Sequence, residues 1–472
     1  MMVLRFNPIP GEPMPPDPTQ PTDAAWGHTT AWLWPRQFVR DYGMFFVLLA
    51  LIALFSVLTY TQQYPTGADA GHQVAKQILA QQGPTARVLV VARDTEEDRA
   101  FTAAVAEHLQ GLGAETLLTV NGGPADAKLA ITQLAAAQRL PTALAVNEVA
   151  GKWSVFAQSA ETAGLPRFKP EPYAWPNFLK RSNLLGVANQ TAVYAIIAIG
   201  MTMVILTAGI DLSVGSLVAL ASVVSALWLR DFQGGPHASV GGVLSGLLLG
   251  VAVCTLVGGG SGVLITMFRL PPFIVTLGVM LMANGLAFRL SSGASIPELP
   301  RAYFWLGGGA SLGIPHPVWL MVTHYLVAHL LMSRTVFGRY VYAIGSNQEA
   351  ARLSGVPVSA VLIVVYMISG CLAGLGGIVL ASMLQAGDPK FGAMYELEVI
   401  AAVVVGGTSL LGGRGKVLGT LIGAFIIAVI KNGMNLTNID PFNQKIVLGA
   451  VLLGAVLLDT IKRRGFSGWP QT

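Results

Sequence analysis

From about residue 184 onward the chain is a succession of long apolar runs separated by short polar breaks, a pattern that leaves few folds open. In a bilayer every backbone N–H and C=O must be paired within the protein, so spanning segments are helices or closed barrels. Runs of roughly 20 residues have the length of a membrane helix, and about ten such crossings can be counted. Composition agrees, because 53% of the 472 residues are hydrophobic and only 11% are charged, whereas a soluble domain carries about 25% charged residues. The expected fold class is a polytopic α-helical membrane protein of about ten transmembrane helices, with a small α/β domain inserted after the first.

One run, 200–215, holds a carboxylate, Asp211, together with several hydroxyls. An acid at the centre of a membrane helix costs on the order of a few kcal/mol, so it is expected to face a cavity, a helix break or a partner. Gly209 and Gly215 flank it and predict a backbone break. Such breaks are tolerated at membrane depth where protein or water satisfies the freed backbone groups, and translocation pathways are built this way. Candidate pathway residues are Asn189, Gln190, Thr191, Asp211, Ser213, Asn284 and, in a second Gly-rich break, Thr408 and Ser409. The alternative for each is an interhelical hydrogen bond worth under about 1–2 kcal/mol. Asp211 could equally hold a loop together at the cytoplasmic end of its span.

Loop charges set the expected orientation. Arg36 and Arg40 precede the first apolar run, Arg334, Arg339 and Arg352 share one polar loop, Arg414 and Lys416 another, and Lys462, Arg463 and Arg464 follow the last run. With an even number of crossings these fall on one side, which places both termini in the cytoplasm. Arg289, Arg301 and Lys390 form a sparser outside set. The domains expected are a Pro-rich, disordered cytoplasmic leader over 1–42, a first transmembrane helix over 43–62, an extracytoplasmic α/β insert over 63–176, the transmembrane core over 177–462 and a cytoplasmic tail over 463–472. A docking site for a cytoplasmic partner is the alternative for the leader. Ala68-Asp-Ala70 has the small-x-small form of a signal-peptide cleavage site, but a leader of about 40 residues exceeds the usual n-region, so the first helix is read as uncleaved.

In the insert, 87–93 and 115–120 read as strands, with 142–147 as a third, and helices fall between them. Alternation of this kind predicts a parallel sheet. Thr95 is placed to cap the first of these helices, with Asp98 as the acidic partner of a capping box. The pattern resembles the first half-lobe of periplasmic sugar-binding proteins of the ribose and repressor-like type. The segment is too short for the two lobes that normally grip a sugar, so the likeness implies a structural or docking role.

From 177 to 462 the chain resembles the ribose-type sugar permeases of ABC importers. The likeness is carried by 198–216 and by Pro315-His-Pro-Val-Trp319. It continues through 338–355, 395–410, 413–423 and Asn432-Gly-Met-Asn-Leu436. These permeases pass almost directly from first helix to core, so the insert is a departure. Glu349-Ala-Ala-Arg-Leu-Ser-Gly355 matches the start of the coupling motif by which such permeases seat a short helix in a groove of the ATPase. On this resemblance Gly345, Glu349, Ala350, Ala351 and Gly355 are ATPase-coupling residues. The chemistry suits the role, since Glu349 near a helix start favours the dipole and Gly355 can end the turn.

No Walker A pattern occurs in the chain, and Gly413-Arg-Gly-Lys-Val lacks both its spacing and its hydroxyl. The resemblance therefore implies that ATP and magnesium sit on a separate cytoplasmic ABC ATPase. It also implies delivery of substrate by a periplasmic sugar-binding protein, a homodimer of this chain and a place in the bacterial inner membrane. Glu298 and Arg301, in the outside loop 291–317, are candidate receptor-docking residues. No bound cofactor, metal or nucleic acid is expected: His324 and His329 lie five apart and do not share a helix face, and Cys254 and Cys371 sit in apolar runs. The rival expectations are an ion-coupled secondary carrier with Asp211 as coupling carboxylate, and a membrane-anchored sensor that binds sugar on the insert.

Overall fold

The structure is a computed structural model describing residues 33–464, so most of the expected leader and all but the first residues of the expected tail lie outside the described residues. Helix α1 (Leu33–Leu58) ends short of the expected residue 62. The polar residues that follow are better satisfied in a ladder: β1 (Tyr60–Gln63) pairs antiparallel with β6 (Tyr173–Pro176). Thr59 terminates the helix, its hydroxyl donating to the Phe55 carbonyl at 2.6 Å while its own carbonyl accepts from the Asn177 amide at 2.9 Å.

Between those two strands lie α2 (Gly67–Gln82), β2 (Arg87–Ala92), α3 (Glu96–Gly111), β3 (Glu115–Asn121), α4 (Pro124–Ala136), β4 (Ala143–Val146), the single turn α5 (Val155–Gln158) and β5 (Arg167–Phe168). Strands β3-β2-β4-β5 form one sheet, parallel throughout. Strand β2 is apolar on both faces: Val88 and Val90 pack with α2 and α3, and Leu89 and Val91 with α4 and α5. That is the burial a parallel sheet requires. The Thr95 hydroxyl accepts from the Asp98 amide at 3.2 Å and caps α3. The Asp98 carboxylate does not complete a box. It turns inward to Asn147 (2.6 Å) and Arg93 (2.9 Å), because at the end of β4 a buried amide needs an acceptor.

The rest is helical: α6 (Arg181–Leu206), α7 (Val214–Phe232), α8 (Val240–Met267), α9 (Pro272–Leu290), α10 (Arg301–Gly308), a two-residue ribbon of β7 (Ala310–Ser311) with β8 (Ile314–Pro315), α11 (His316–Arg334), α12 (Val336–Ser346), α13 (Gln348–Leu353), α14 (Val358–Leu384), α15 (Tyr395–Val405), α16 (Val417–Leu436) and α17 (Pro441–Arg464). Six helices among the described residues are long and apolar enough to cross a membrane, or seven if α11 and α12, bent by 71°, count as one span. Apolar stretches at Gly43–Leu58 and Pro441–Leu457 are shorter. This count falls below ten, partly because the apolar run after residue 395 is an 11-residue helix, too short to span.

Helix α6 is buried along most of its length against α14, α15 and α16. Helices α8 and α14 approach through glycines: a Cβ on Gly258 would stand 3.2 Å from the Gly370 Cα, and one on Gly374 3.1 Å from the Val251 Cα. Helix α6 is about 39 Å long. The parallel sheet joins its first residues through β6, and α13 lies near its last.

Candidate functional site

Two breaks in the helical core meet behind α6. In the first, 207–213, Ala208 adopts φ 61° and the chain turns away from the axis of α6. Asp211 is 1% exposed. Its Oδ1 accepts from the Ser213 amide (3.0 Å) and hydroxyl (2.6 Å), and its Oδ2 accepts from the Ser369 hydroxyl of α14 (2.8 Å). Ser369 lies eleven residues, roughly 16 Å, from the start of α14, so the carboxylate sits well inside the core. Three donors replace the water it has lost, and it clamps the turn to α14. The adjoining Tyr366 hydroxyl is buried with no hydrogen-bond partner among the described residues.

The second break, 406–416, follows the half-length helix α15. The Ser409 amide donates to the Arg414 carbonyl (2.9 Å) and its hydroxyl accepts from the Leu411 amide (3.2 Å), closing a tight loop. The buried Thr408 hydroxyl has no partner among the described residues. The two breaks are joined directly, the Gly413 amide donating to the Leu206 carbonyl at 2.9 Å. Gly345 lies at the same junction. A Cβ there would stand 2.6 Å from the Gly413 nitrogen and would overlap the Leu206 carbonyl oxygen, so only glycine fits.

A cavity of about 410 Å³ opens between the first turn of α7, the helix α9 and the stretch that leads into α15. Gly215 and Ser216 from the first turn of α7 line it, with Asn284 and Phe288 of α9, the stretch 389–394 and Glu396 of α15. Of the candidate pathway residues, only Asn284 lines this cavity. Asp211 and Ser213 lie one turn before α7, buried in their own network. On α6, the Thr191 hydroxyl donates to the Val187 carbonyl (2.6 Å) and accepts from Tyr194. Asn189 Oδ1 is buried without a partner among the described residues, and Gln190 is exposed.

The segment expected to couple to an ATPase is a discrete element. Asn347 caps α13, its side chain accepting from the Ala350 amide at 3.0 Å. Glu349 and Arg352 pair on its exposed face at 2.5 Å. Ala350 is exposed and Ala351 buried, and Gly355 leaves the helix at φ 84°. Leu353 stands 80% exposed, an uncovered apolar side chain on a one-and-a-half-turn helix. At the opposite end of the helical core, Glu298 (φ 62°) and Arg301 are both exposed, beside the bridge that pairs Ile296 with Gly387.

Three residues outside the sequence-based set now belong to these sites: Ser369, Leu353 and Glu396. Glu396 and Leu353 lie inside motifs quoted above. Ser369 is a hydroxyl in an apolar run with no local mark.

Residues 183–456 match the protein family described as the branched-chain amino acid transport system / permease component. The chain is 43% identical over 292 residues to the ribose import permease protein of Escherichia coli K12, covering 61% of this chain and 88% of that protein. It is 43% identical over 289 residues to the ribose import permease protein of Bacillus subtilis 168, covering 61% and 87%. The L-arabinose ABC transporter permease protein of Azospirillum brasilense is 38% identical over 288 residues, covering 61% and 83%. No solved structure matches the chain.

Proposed function

The chain belongs to the permease component family of branched-chain amino acid transport systems, and on that premise we propose that it is the transmembrane subunit of an ABC importer that carries a monosaccharide inward. The observation carrying this reading is the match of 288–292 residues, 61% of the chain, to ribose and arabinose permeases. The chain is then a transport subunit rather than an enzyme, and ATP and magnesium bind a separate ATPase. A groove on that subunit receives α13, with Leu353 and the Glu349–Arg352 pair as the contact. Gly345 ties this contact to the junction of the two breaks, so motion at α13 reaches that junction through a stiff link rather than a free loop.

Substrate arrives from a periplasmic sugar-binding protein that docks near Glu298 and Arg301. The parallel-sheet unit over 63–176 is an inserted α/β domain outside the inner membrane that steadies this docking. Both termini are cytoplasmic, and two copies form the complete pathway. An ion-coupled carrier would need Asp211 free to exchange a cation or proton, but its carboxylate already holds three donors.

The test is uptake into vesicles holding the chain with its ATPase and receptor, using radiolabelled ribose and arabinose. ATP-dependent accumulation that Glu349→Lys abolishes, without loss of folded protein, is the expected result. Accumulation driven by an ion gradient without ATP would overturn the reading.

A further inference from the structure

We propose that Glu396 is a specificity-determining residue of the translocation cavity, accepting hydroxyl hydrogen bonds from a neutral polyhydroxylated substrate and disfavouring anionic ones. The inference rests on the permease reading above. The cavity is lined by apolar surface with four polar side chains, Ser216, Asn284, Lys390 and Glu396, a pattern suited to a small polar molecule with apolar C–H faces.

Glu396 lies deep. Helix α15, of which it is the second residue, is 11 residues long, about 16 Å. That is roughly half of a hydrocarbon core about 30 Å thick. The end of α15 packs against the first turn of α16, Gly406 against Gly419 and Thr420, so its start lies about 16 Å from the second break and, on the permease reading, near mid-depth. There the Glu396 carboxylate rests against the first turn of α7, where a Cβ on Gly215 would overlap its Oε2. A helix N-terminus favours negative charge at this position.

The carboxylate is unspent. Two residues on, Glu398 is neutralised by Lys431, both of its oxygens lying 2.9–3.0 Å from the Nζ. Among the described residues Glu396 has no such partner, its only hydrogen-bond donor being its own backbone amide. A half-buried carboxylate at membrane depth, facing a cavity and with no donor from another described residue, calls for one from what passes through. Sugar hydroxyls supply it, with the Asn284 amide and Lys390 on the other walls. A sugar acid or sugar phosphate would bring like charge to the same oxygens.

The test uses the complete transporter in vesicles. Uptake of radiolabelled ribose and arabinose is measured against that of glucuronate, in the wild type and in Glu396→Gln. The amide keeps the shape but loses the charge. The expected result is a roughly tenfold loss of kcat/KM for the neutral sugars, the worth of one charge-assisted hydrogen bond. The ratio of glucuronate to neutral-sugar uptake should rise as well, a shift that a merely structural role would not produce. Wild-type vesicles that take up no sugar would sink the permease reading itself. Wild-type uptake with Glu396→Gln matching it in rate and selectivity would overturn this inference alone. Should Glu396→Gln fail to fold, Asn284→Cys reports independently. Its labelling by a hydrophilic thiol reagent should be slowed by saturating ribose, and labelling indifferent to sugar would count against the site.

Discussion

Gly345→Ala is the sharpest perturbation the structure offers, because the added methyl meets only backbone. It would stand 2.6 Å from the Gly413 nitrogen and 2.9 Å from the Leu206 carbonyl carbon. Carbon contacts settle near 3.5–4.0 Å and the methyl would overlap the Leu206 carbonyl oxygen, so α12 must move away from the end of α6 by roughly 1.5–2 Å. That movement breaks the 2.9 Å hydrogen bond from the Gly413 amide to the Leu206 carbonyl. Overpacking costs about 1–3 kcal/mol, and a buried polar pair left unsatisfied adds about 1–3 kcal/mol. The expected total is ~2–6 kcal/mol, read as a thermal transition lowered by several degrees in detergent, with ATP-driven uptake reduced as well. Gly355→Ala is the control: its Cβ would meet open space, and only the φ of 84° costs, about 1–2 kcal/mol. A Gly345→Ala transition within a degree of wild type, or a larger loss in Gly355→Ala, would refute the tight junction.

Asp211→Ala should destabilise by about 2–4 kcal/mol and Ser369→Ala by about 1–2 kcal/mol, since the first leaves three donors unpaired and the second removes one of them; equal transitions for the two would contradict the clamp. Leu353→Ala should leave the thermal transition unchanged, its side chain being uncovered, and weaken assembly with the ATPase by roughly tenfold, as expected for about 1.5 kcal/mol of lost leucine burial; titration of ATPase against vesicles measures it. Asp440 caps the start of α17, and the Asn443 amide, with that of Phe442, holds its carboxyl below the usual carboxylate range. A lowered folded-state pKa gives stability that is present above the ordinary carboxylate value and lost as pH falls through the folded one. Asp440→Asn should flatten the acid limb of a stability–pH profile, and an unchanged limb would show that the cap contributes nothing.

How far the sequence could be read depended on the range of the interactions. The strands β2, β3 and β4 were legible because each is a short apolar run between turn residues, and the Thr95 cap because it acts over three residues. Family membership was legible from motifs spread in order along the core. The break around Asp211 was legible as a glycine-flanked acid, but its partner was not. Ser369 lies 158 residues away, and nothing in its neighbourhood marks it. Glu396 was hidden for a different reason. It shares the segment 395–398 with Glu398, and local pattern cannot tell the acid that meets Lys431 from the one that faces a cavity. Six or seven helices among the described residues have the length and hydropathy of a full span, against the ten crossings expected, and hydropathy alone does not separate such a span from the 11-residue α15.

The attachment of the parallel-sheet unit yields a last prediction. Strands β1 and β6 form an antiparallel ribbon in register from Tyr60 opposite Pro176 to Gln63 opposite Tyr173. At its foot the unit is tied to the helices. Phe55 stacks on Phe178 with ring centroids 6.1 Å apart, and the Phe178 amide donates to the Thr59 hydroxyl at 3.1 Å. Gln63 further bonds Asn177 at 2.7 Å. Everything between Gln63 and Tyr173 therefore hangs from a closed ladder whose two ends lie side by side. Replacing 64–172 by Asn-Gly should turn the ribbon into a two-residue hairpin, for which that pair supplies the left-handed conformations required. The shortened chain should insert, keep its helical content and lose no more than a few degrees of thermal stability, since the helical core and the sheet form separate hydrophobic clusters. ATP-driven uptake should survive at saturating receptor and fall at low receptor, as it would if the unit contributes to docking rather than to the pathway. Aggregation of the shortened chain would show that the unit is part of the fold of the core.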